Sequence, residues 1–261
     1  MTAPLVTALN RCKSLPVNPA KGVGGKARKV KPLLWTDARV QRWRETGIRP
    51  AKVMVWTPAQ CGAFLDSTAG DRLYAAYHLA AYWGLRRGEL AGLQWADIDL
   101  KARRLHIRQA QVKEELSSVK TEDSDRIIII DEQTAAELKD WRKQRAAERL
   151  VWAGAWQDSG RVFTREGGAP LRAAYLSEHF ETLTRQAGLP LIRFHDLRHG
   201  AATMLIAAGQ PIKVVSAILG HSTSAFTMDV YAVVAEELGE AAAAAIAAFV
   251  PRRANIVPTG G

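Results

Sequence analysis

The amino-acid sequence predicts a mainly α-helical fold with a small antiparallel β-sheet, which is the α+β class. In most of the chain after residue 55, apolar residues recur at helical spacing between capping residues and glycines. Two short runs have the composition of strands, RRLHIRQAQV at 103–112 and RIIII at 126–130, and a polar loop joins them. Hydrophobic residues make up 48% of the 261-residue chain, which is enough to bury a core.

Two helices at the start of the compact region have recognisable ends. Thr57, Pro58 and Gln60 form the pattern of a capping box with proline at the first helical position, and the helix is predicted to run to about Ser67. The stretch DRLYAAYHLAAYWG that follows is apolar nearly all round. It therefore predicts a buried core helix, which stops at Gly84.

The other helices are predicted from their periodicity and from the glycines and prolines at their ends. A stretch rich in Gly, Lys and Pro at 21–34 is predicted to be a linker. In chain order the helices are LVTALNRCKSL near the N-terminus, 36–46, a long charged helix at 132–150, 174–187, 196–208, IKVVSAIL closed by Gly220, a helix from Thr223, and an alanine-rich helix at 235–249.

Cysteine content and hydropathy indicate a soluble protein of a reducing compartment. Cys12 and Cys61 lie far apart in unrelated contexts, which favours neither a disulfide framework nor a metal site. No apolar signal region follows Met1. The longest apolar run, at 241–250, is about half as long as a membrane-spanning helix. We therefore expect a cytoplasmic protein without a membrane partner.

The positive charge is concentrated near the N-terminus. Residues 1–55 contain 12 Lys/Arg and 2 Asp/Glu, so the whole formal excess of +10 lies there and the remaining residues sum to zero. A basic arm of this kind suits a polyanion such as DNA or RNA, but it is equally compatible with a solvated tail. The candidate DNA-binding residues are Lys26, Arg28, Lys29 and Lys31.

The stretch RFHDLRHGAATM at 193–204 concentrates charged and imidazole side chains at the start of an apolar helix. His195 and His199 could grip a metal ion, but a third ligand with suitable spacing is missing and Arg198 opposes a cation. His195 and Arg198 share one helix face, which suits an anion. Asp196 is interpreted as a helix cap and His199 as a structural neighbour. An ordinary surface helix is the remaining interpretation.

A second candidate site follows the predicted buried helix. GLRRGELAGLQWADIDL at 84–100 places Arg86 and Arg87 directly after Gly84, where a buried arginine is costly unless it meets an anion or an acid. Glu89 is the candidate partner that would hold Arg86 in position. Arg87 is interpreted as a solvated charge.

Three more candidates lie in loops or on the helices near the C-terminus. Lys120 lies in the loop between the two predicted strands, where a long amine could reach a substrate. His221 follows a glycine directly, and Tyr231 lies ten residues later on the next predicted helix. Lys120 could equally be an ordinary loop lysine and Tyr231 a packing residue.

Together, GLRRGEL, the loop lysine, HDLRHGAAT, LGHS and MDVY occur in an order and spacing that resemble the catalytic domain of tyrosine recombinases, the phage-type integrases. The resemblance covers about residues 55–250. It implies Arg86 and Arg198 as the arginine pair on the scissile phosphate, Glu89 as their acidic support, Lys120 as the loop lysine, His195 and His221 as the two active-site histidines, and Tyr231 as the nucleophile.

The resemblance also implies a reaction, DNA strand transfer through a 3′-phosphotyrosine without metal, ATP or another cofactor. The arginines would neutralise the nonbridging oxygens, and His195 is the candidate base for Tyr231. Lys120 is the candidate acid for the leaving 5′-oxygen, and His221 would donate to the phosphate. The free 5′-hydroxyl of another strand could then reverse the covalent step.

The expected domain organisation has three parts. Residues 1–54 are expected to contain the last helix of a core-binding domain and a basic linker, residues 55–250 the catalytic domain, and residues 251–261 a tail. The expected partner is double-stranded DNA with attachment sites, bound by a homo-tetramer in the nucleoid, with an accessory excision factor as a further partner. The alanine-rich helix is expected either to dock on its own domain or to pack on a neighbouring protomer.

Two functions of different classes are compatible with the sequence. The first is an active site-specific recombinase. The second is a truncated, non-recombining DNA-binding remnant that keeps the fold and the basic arm. A type IB topoisomerase, which uses similar chemistry, is a third and weaker candidate, and it would relax supercoils without exchanging strands.

Overall fold

The computed structural model describes residues 32–112, 115–118 and 125–220. Several predicted features therefore lie outside the described residues. They are the helix near the N-terminus, Lys26, Arg28, Lys29, Lys31, Lys120, His221, Tyr231 and the two helices predicted after residue 222.

Helices make up most of the described part of the chain. They are α1 (Asp37–Thr46), α2 (Pro58–Ser67), α3 (Tyr74–Trp83), α4 (Arg87–Gly92), α5 (Glu132–Trp152), α6 (Ala173–Gln186), α7 (Asp196–Ala207) and α8 (Ile212–Leu219). The helices predicted within these ranges are confirmed, and α4 is an addition. In the ranges that the structure describes, no helix is long and apolar enough to span a membrane.

The start of α2 shows how closely the local sequence determines a helix end. The main-chain N–H of Gln60 donates to Thr57 Oγ1 (3.2 Å), and the main-chain N–H of Thr57 donates to Gln60 Oε1 (3.1 Å). Gln60 Nε2 also donates to the carbonyl of Trp35 (2.9 Å). The predicted capping box is confirmed, and it joins α2 to the segment before α1.

The strands are short. They are β1 (Leu33–Leu34), β2 (Met54–Val55), β3 (Ile98–Asp99), β4 (Arg104–Ile107), β5 (Gln109–Val112), β6 (Glu115–Ser118) and β7 (Arg126–Ile129). β1 and β2 pair in parallel, β3, β4 and β7 form an antiparallel sheet in that order, and β5 pairs with β6 as an antiparallel hairpin.

The predicted antiparallel sheet is confirmed, but its first strand is shorter than expected. Leu105 pairs with Ile128 and Ile107 with Arg126, the first residue of β7. Residues beyond Ile107 therefore have no partner in β7. The run 103–112 therefore divides into β4 and β5 at this point. The backbone N–H and C=O groups of β5 need hydrogen-bond partners from a different strand, and β6 provides them. The prediction of a single strand over 103–112 was wrong.

The centre of the fold is an aromatic cluster contributed by β2's end, α2, α3, α6 and the segment before α7. Phe180 lies at its middle, with ring centroids 5.1 to 6.1 Å from those of its four aromatic neighbours. The cluster consists of Trp56, Phe64, Tyr77, Phe180 and Phe194. Trp35 and Val40 belong to the same hydrophobic core, so β1 and α1 pack with the helices that follow them.

The aromatic cluster also positions the start of α7. Trp56 Nε1 donates to the carbonyl of Pro190 (2.8 Å), which anchors the segment leading to the helix. The ring of Phe194, the residue immediately before His195, is buried in the same cluster. Packing of these apolar rings therefore fixes the backbone that carries the polar side chain of His195.

Candidate active site

The candidate site begins where α3 ends at Gly84. This glycine has a φ of +64°, and a Cβ added there would lie 2.5 Å from Leu219 Cδ2. The backbone can therefore turn and approach α8 only because the residue has no side chain. The turn brings the chain directly to Arg86 at the start of α4.

Glu89 holds Arg86 from both its side chain and its backbone. Arg86 Nη1 donates to Glu89 Oε1 (2.7 Å), and the Arg86 main-chain N–H donates to Glu89 Oε2 (2.8 Å). The pairing expected from the sequence is confirmed. The Glu89 side chain is 2% exposed, whereas that of Arg86 is 36% exposed, so the guanidinium faces solvent over a buried carboxylate.

A second arginine, Arg126, approaches the same carboxylate. Its Nη1 and Nη2 donate to Glu89 Oε1 (3.1 Å) and Oε2 (3.0 Å). Arg126 was not among the site residues predicted from the sequence. A signal was nevertheless present, because the two-residue period of a strand places Arg126 on the same inward face as Ile128.

Three arginines converge on the C-terminal end of α8. Arg126 Nε donates to the carbonyl of Ile218 (2.6 Å), Arg198 Nη2 to that of Leu219, and Arg86 Nη2 to that of Gly220 (3.1 Å). Carbonyls at a helix C-terminus lack intrahelical donors and carry partial negative charge, so they are suitable acceptors for guanidinium groups. We call Arg86, Arg126 and Arg198 the arginine cluster.

Arg198 is the most enclosed member of the cluster. Its Nη1 donates to the carbonyl of Gly84 (2.9 Å), and the residue is 2% exposed. Burial lowers the pKa of Arg198, and the charge of Arg86 lowers it further, to about 9. It is therefore still a cation at neutral pH, held between the end of α3 and the end of α8.

Glu89 is the carboxylate that two members of the cluster share. Arg86 and Arg126 both donate to it, whereas Arg198 donates to the carbonyl of Gly84. Burial alone would raise the pKa of Glu89, but hydrogen bonding and charge from Arg126, and then the charge of Arg86, outweigh that effect and lower it. The carboxylate is thus ionised, and it offers its negative charge to Arg86 and Arg126 together.

His195 lies beside this charge at the first turn of α7. Its side chain reaches solvent, yet the protein packed around it lowers its pKa, and the charge of Arg198 lowers the pKa further. His199 packs against it edge-on, with ring centroids 5.3 Å apart. Burial is also the main reason that the pKa of His199 falls to about 4. Both rings are consequently neutral at pH 7.

The interpretation of Asp196 as a cap of α7 was wrong. The carboxylate is fully buried and accepts from the main-chain N–H (3.1 Å) and from Nη2 (2.6 Å) of Arg193. Arg49 Nη2 lies 3.8 Å away. Asp196 therefore ties the segment before α7 to two arginines, because a buried carboxylate needs cationic partners more than the helix needs a cap.

Of the seven predicted catalytic and support residues, the structure brings four together, and three lie outside the described ranges. Arg86, Glu89 and Arg198 share the end of α8, and His195 precedes Arg198 by one helical turn. The three outside are Lys120, His221 and Tyr231, of which His221 directly follows Gly220 in the sequence. Within the described ranges, no group of three or more His, Cys, Asp or Glu side chains could hold a metal ion.

Comparison with known proteins identifies the family of this chain. The family model described as the phage integrase family matches residues 59–237, which is more than half of the chain. The chain belongs to the phage integrase family. This result confirms the resemblance drawn from the five sequence motifs.

Individual relatives agree with this membership. The protein is 34% identical over 182 residues to a tyrosine recombinase XerC-like protein of Caldanaerobacter subterraneus subsp. tengcongensis, a match that covers 64% of this chain and 46% of the relative. It is 28% identical over 193 residues to an integrase of Streptomyces ambofaciens, covering 70% of this chain and 49% of the relative. This member of the family therefore spans about half the length of these curated relatives.

The fold is also that of the family. A solved structure of the Tn1549 transposon integrase in complex with transposon right end DNA superposes with a TM-score of 0.67. The two chains are 20% identical, and the match covers 92% of this chain and 78% of the other. The predicted tyrosine recombinase-like α+β fold is confirmed.

Proposed function

We propose that this protein is a site-specific DNA recombinase, an integrase that cleaves and rejoins DNA strands through a 3′-phosphotyrosine intermediate. The observation that carries the proposal is the arginine cluster. Its three guanidiniums lie at the end of α8, next to a neutral histidine, and one of them, Arg86, is partly exposed. A phosphodiester is an anion whose negative charge increases during substitution at phosphorus, so it matches this site.

Arg86 and Arg198 are proposed to bind the nonbridging oxygens of the scissile phosphate. Both side chains are held by main-chain carbonyls, and Arg86 is held by Glu89 as well. Donors that are already oriented stabilise a transition state without reorganising during the reaction. This supports a role in catalysis beyond simple attraction of DNA.

The proposed covalent step combines this cluster with His195 and with three residues outside the described ranges. The Tyr231 hydroxyl attacks phosphorus, its proton passes to His195, and the bond from phosphorus to the 5′-oxygen breaks. Lys120 supplies the proton to the leaving 5′-oxygen, and His221 donates to a nonbridging oxygen. The lowered pKa of His195 supports its part, because only the neutral ring can accept a proton. The reaction as proposed uses neither a metal ion nor ATP.

The proposed partners follow from the same chemistry. Double-stranded DNA with attachment sites is the proposed substrate, and Lys26, Arg28, Lys29 and Lys31 are proposed to contact its phosphates. We further propose a homo-tetramer on DNA, an accessory excision factor, and a location in the cytoplasm at the nucleoid. Residues 55–250 are proposed as the catalytic domain, preceded by a core-binding remnant and linker and followed by the tail from residue 251.

Covalent trapping tests the proposed function. Labelled duplexes from the DNA that flanks the gene are nicked near the candidate cleavage position, so that the released 5′-fragment diffuses away and religation fails. The full chain is compared with Tyr231→Phe and with the matched control Tyr175→Phe, which removes the hydroxyl of a tyrosine that is 40% exposed on α6. The adduct is detected as a detergent-stable, protease-sensitive band.

An adduct with the wild type and with Tyr175→Phe, but not with Tyr231→Phe, supports the recombinase. Binding of the duplex without any adduct overturns it in favour of the DNA-binding remnant. Relaxation of a supercoiled plasmid without strand exchange would identify a topoisomerase activity instead.

A further inference from the structure

Arg126 is a buried cation on the apolar face of a sheet. It pairs in register with Ile107, and its neighbours on the inward face, Leu105 and Ile128, are fully buried. The Arg126 side chain is only 6% exposed. Removing a guanidinium from water is costly, as it is for any buried ion, so this position requires strong partners.

The partners of Arg126 use its guanidinium fork fully. Two nitrogens contact the two oxygens of Glu89 at 3.1 and 3.0 Å, and the third contacts the carbonyl of Ile218 at 2.6 Å. A planar fork with donors on both edges makes these contacts together, whereas a lysine ammonium is a single point charge. The geometry of the site is thus specific for arginine.

These contacts join elements that are distant in sequence. Through Glu89, Arg126 reaches the carboxylate that orients Arg86. Through Ile218, it reaches the end of α8, where the next two carbonyls accept from Arg198 and Arg86. One buried side chain therefore contacts both supports of the arginine pair.

We propose that Arg126 is a positioning residue for DNA cleavage, which fixes Arg86 through Glu89 and fixes the end of α8 through Ile218. The inference rests on the proposed function. Arg126 does not touch the phosphate in this mechanism. Its effect is to keep Glu89 ionised and immobile, and to keep the end of α8 where Arg86 and Arg198 both reach its carbonyls.

A purely structural role leads to a different expectation. A buried ion pair contributes little net stability, and apolar residues of similar volume often replace such a pair at no loss. If Arg126 served only the fold, Arg126→Met would cleave DNA at the wild-type rate once folded. A positioning role instead predicts a folded protein with slow cleavage.

The test measures single-turnover adduct formation by the full chain on the nicked duplex, at saturating protein. The variants are Arg126→Met, Arg126→Lys, Glu89→Gln and the double variant, with thermal unfolding and DNA affinity recorded for each. Arg161→Met is the matched control, because Arg161 is equally buried and donates to the carbonyl of Ala91 in α4. A second substrate carries sulfur in place of the 5′-bridging oxygen, so its leaving group needs no proton.

We expect Arg126→Met to slow adduct formation by about 100-fold, as a misplaced reacting group does, with unchanged DNA affinity. Arg126→Lys should recover part of the rate. The double variant should be no slower than the slower single variant, because both residues act along one path. The defect should persist on the sulfur substrate, since the arginine pair rather than the acid is misplaced.

The proposed function and this inference fail in different ways. If the wild type forms no adduct, the recombinase proposal fails. If the wild type is active but Arg126→Met cleaves at the control rate, only the positioning role is overturned. It is also overturned if the sulfur substrate restores the rate, because Arg126 would then serve the loop that contains Lys120.

Discussion

The aromatic cluster and the arginine cluster are both buried, but their burial has opposite energetic consequences. Phe180, at the centre of the aromatic cluster, is fully buried among other rings. Removing such a side chain from water contributes roughly 1.5–3 kcal/mol to folding. Arg198 is buried to nearly the same degree, yet each of its charged nitrogens must find an acceptor to offset its lost hydration.

The difference indicates why each region has its composition. Apart from the hydrogen bond of Trp56 to Pro190, the aromatic cluster stabilises the fold by apolar burial, and other apolar side chains of similar volume could supply most of that burial. The arginine cluster stabilises the fold little, since its acceptors only compensate for desolvation. An arrangement that is costly and geometrically specific is expected where a ligand uses the charge. Variants of each region should therefore separate stability from activity.

The largest expected effect is on stability, in the aromatic cluster. Phe180→Ala should lower the free energy of unfolding by about 3–5 kcal/mol, because it removes a buried ring and leaves a cavity. The rate of adduct formation by the folded protein should fall far less than the stability, because Phe180 reaches the site through Phe194, the residue before His195. Urea unfolding gives the stability, and Tyr175→Ala on the exposed side of the same helix is the control. A stability equal to that of the control would contradict the comparison.

The next effect concerns activity, in the arginine cluster. Arg198→Met should slow adduct formation by about 10²–10³-fold, the usual cost of losing one preorganised donor. The free energy of unfolding should fall by about 1–3 kcal/mol, because the carbonyls of Gly84 and Leu219 lose their donor while the apolar chain avoids part of the desolvation cost. Single-turnover cleavage and urea unfolding test both parts. A large loss of stability with little loss of cleavage would reverse the roles assigned to the two regions.

Local signals in the sequence predicted most of the fold. The capping box at Thr57, the apolar α3 and the glycines that end α3 and α8 each depend on nearby residues, so helix positions could be inferred correctly. The pairing of Glu89 with Arg86 is also local, three residues apart on one helix turn. The motifs then indicated the family without any knowledge of the structure.

Features that depend on distant contacts could not be inferred in the same way. The parallel pairing of Leu33 with Met54 and the division of 103–112 into two strands depend on which segments meet in space. Arg126 lies 37 residues from Glu89 and 92 from Ile218, so its partners were not visible in the sequence. Only its inward position in the strand pattern indicated that it needed partners.

A smaller effect concerns His199, which packs against His195 and is 8% exposed. Its folded pKa of about 4 lies below the value of 6.5 for a free imidazole, with burial as the main cause. Between these values the unfolded chain binds a proton that the folded protein does not, so stability decreases as the pH falls from 6.5 towards 4. One such group accounts for a loss of stability of about 1.4 kcal/mol per pH unit and about 3 kcal/mol in total.

His199→Gln should therefore reduce the slope of stability against pH. The smaller contributions of His78 and His195, whose pKa values are also lowered, should remain. Chemical unfolding from pH 4 to pH 7 measures the slope, with His106→Gln, 40% exposed on β4, as control. A slope that His199→Gln leaves unchanged would show that other groups carry the acid sensitivity.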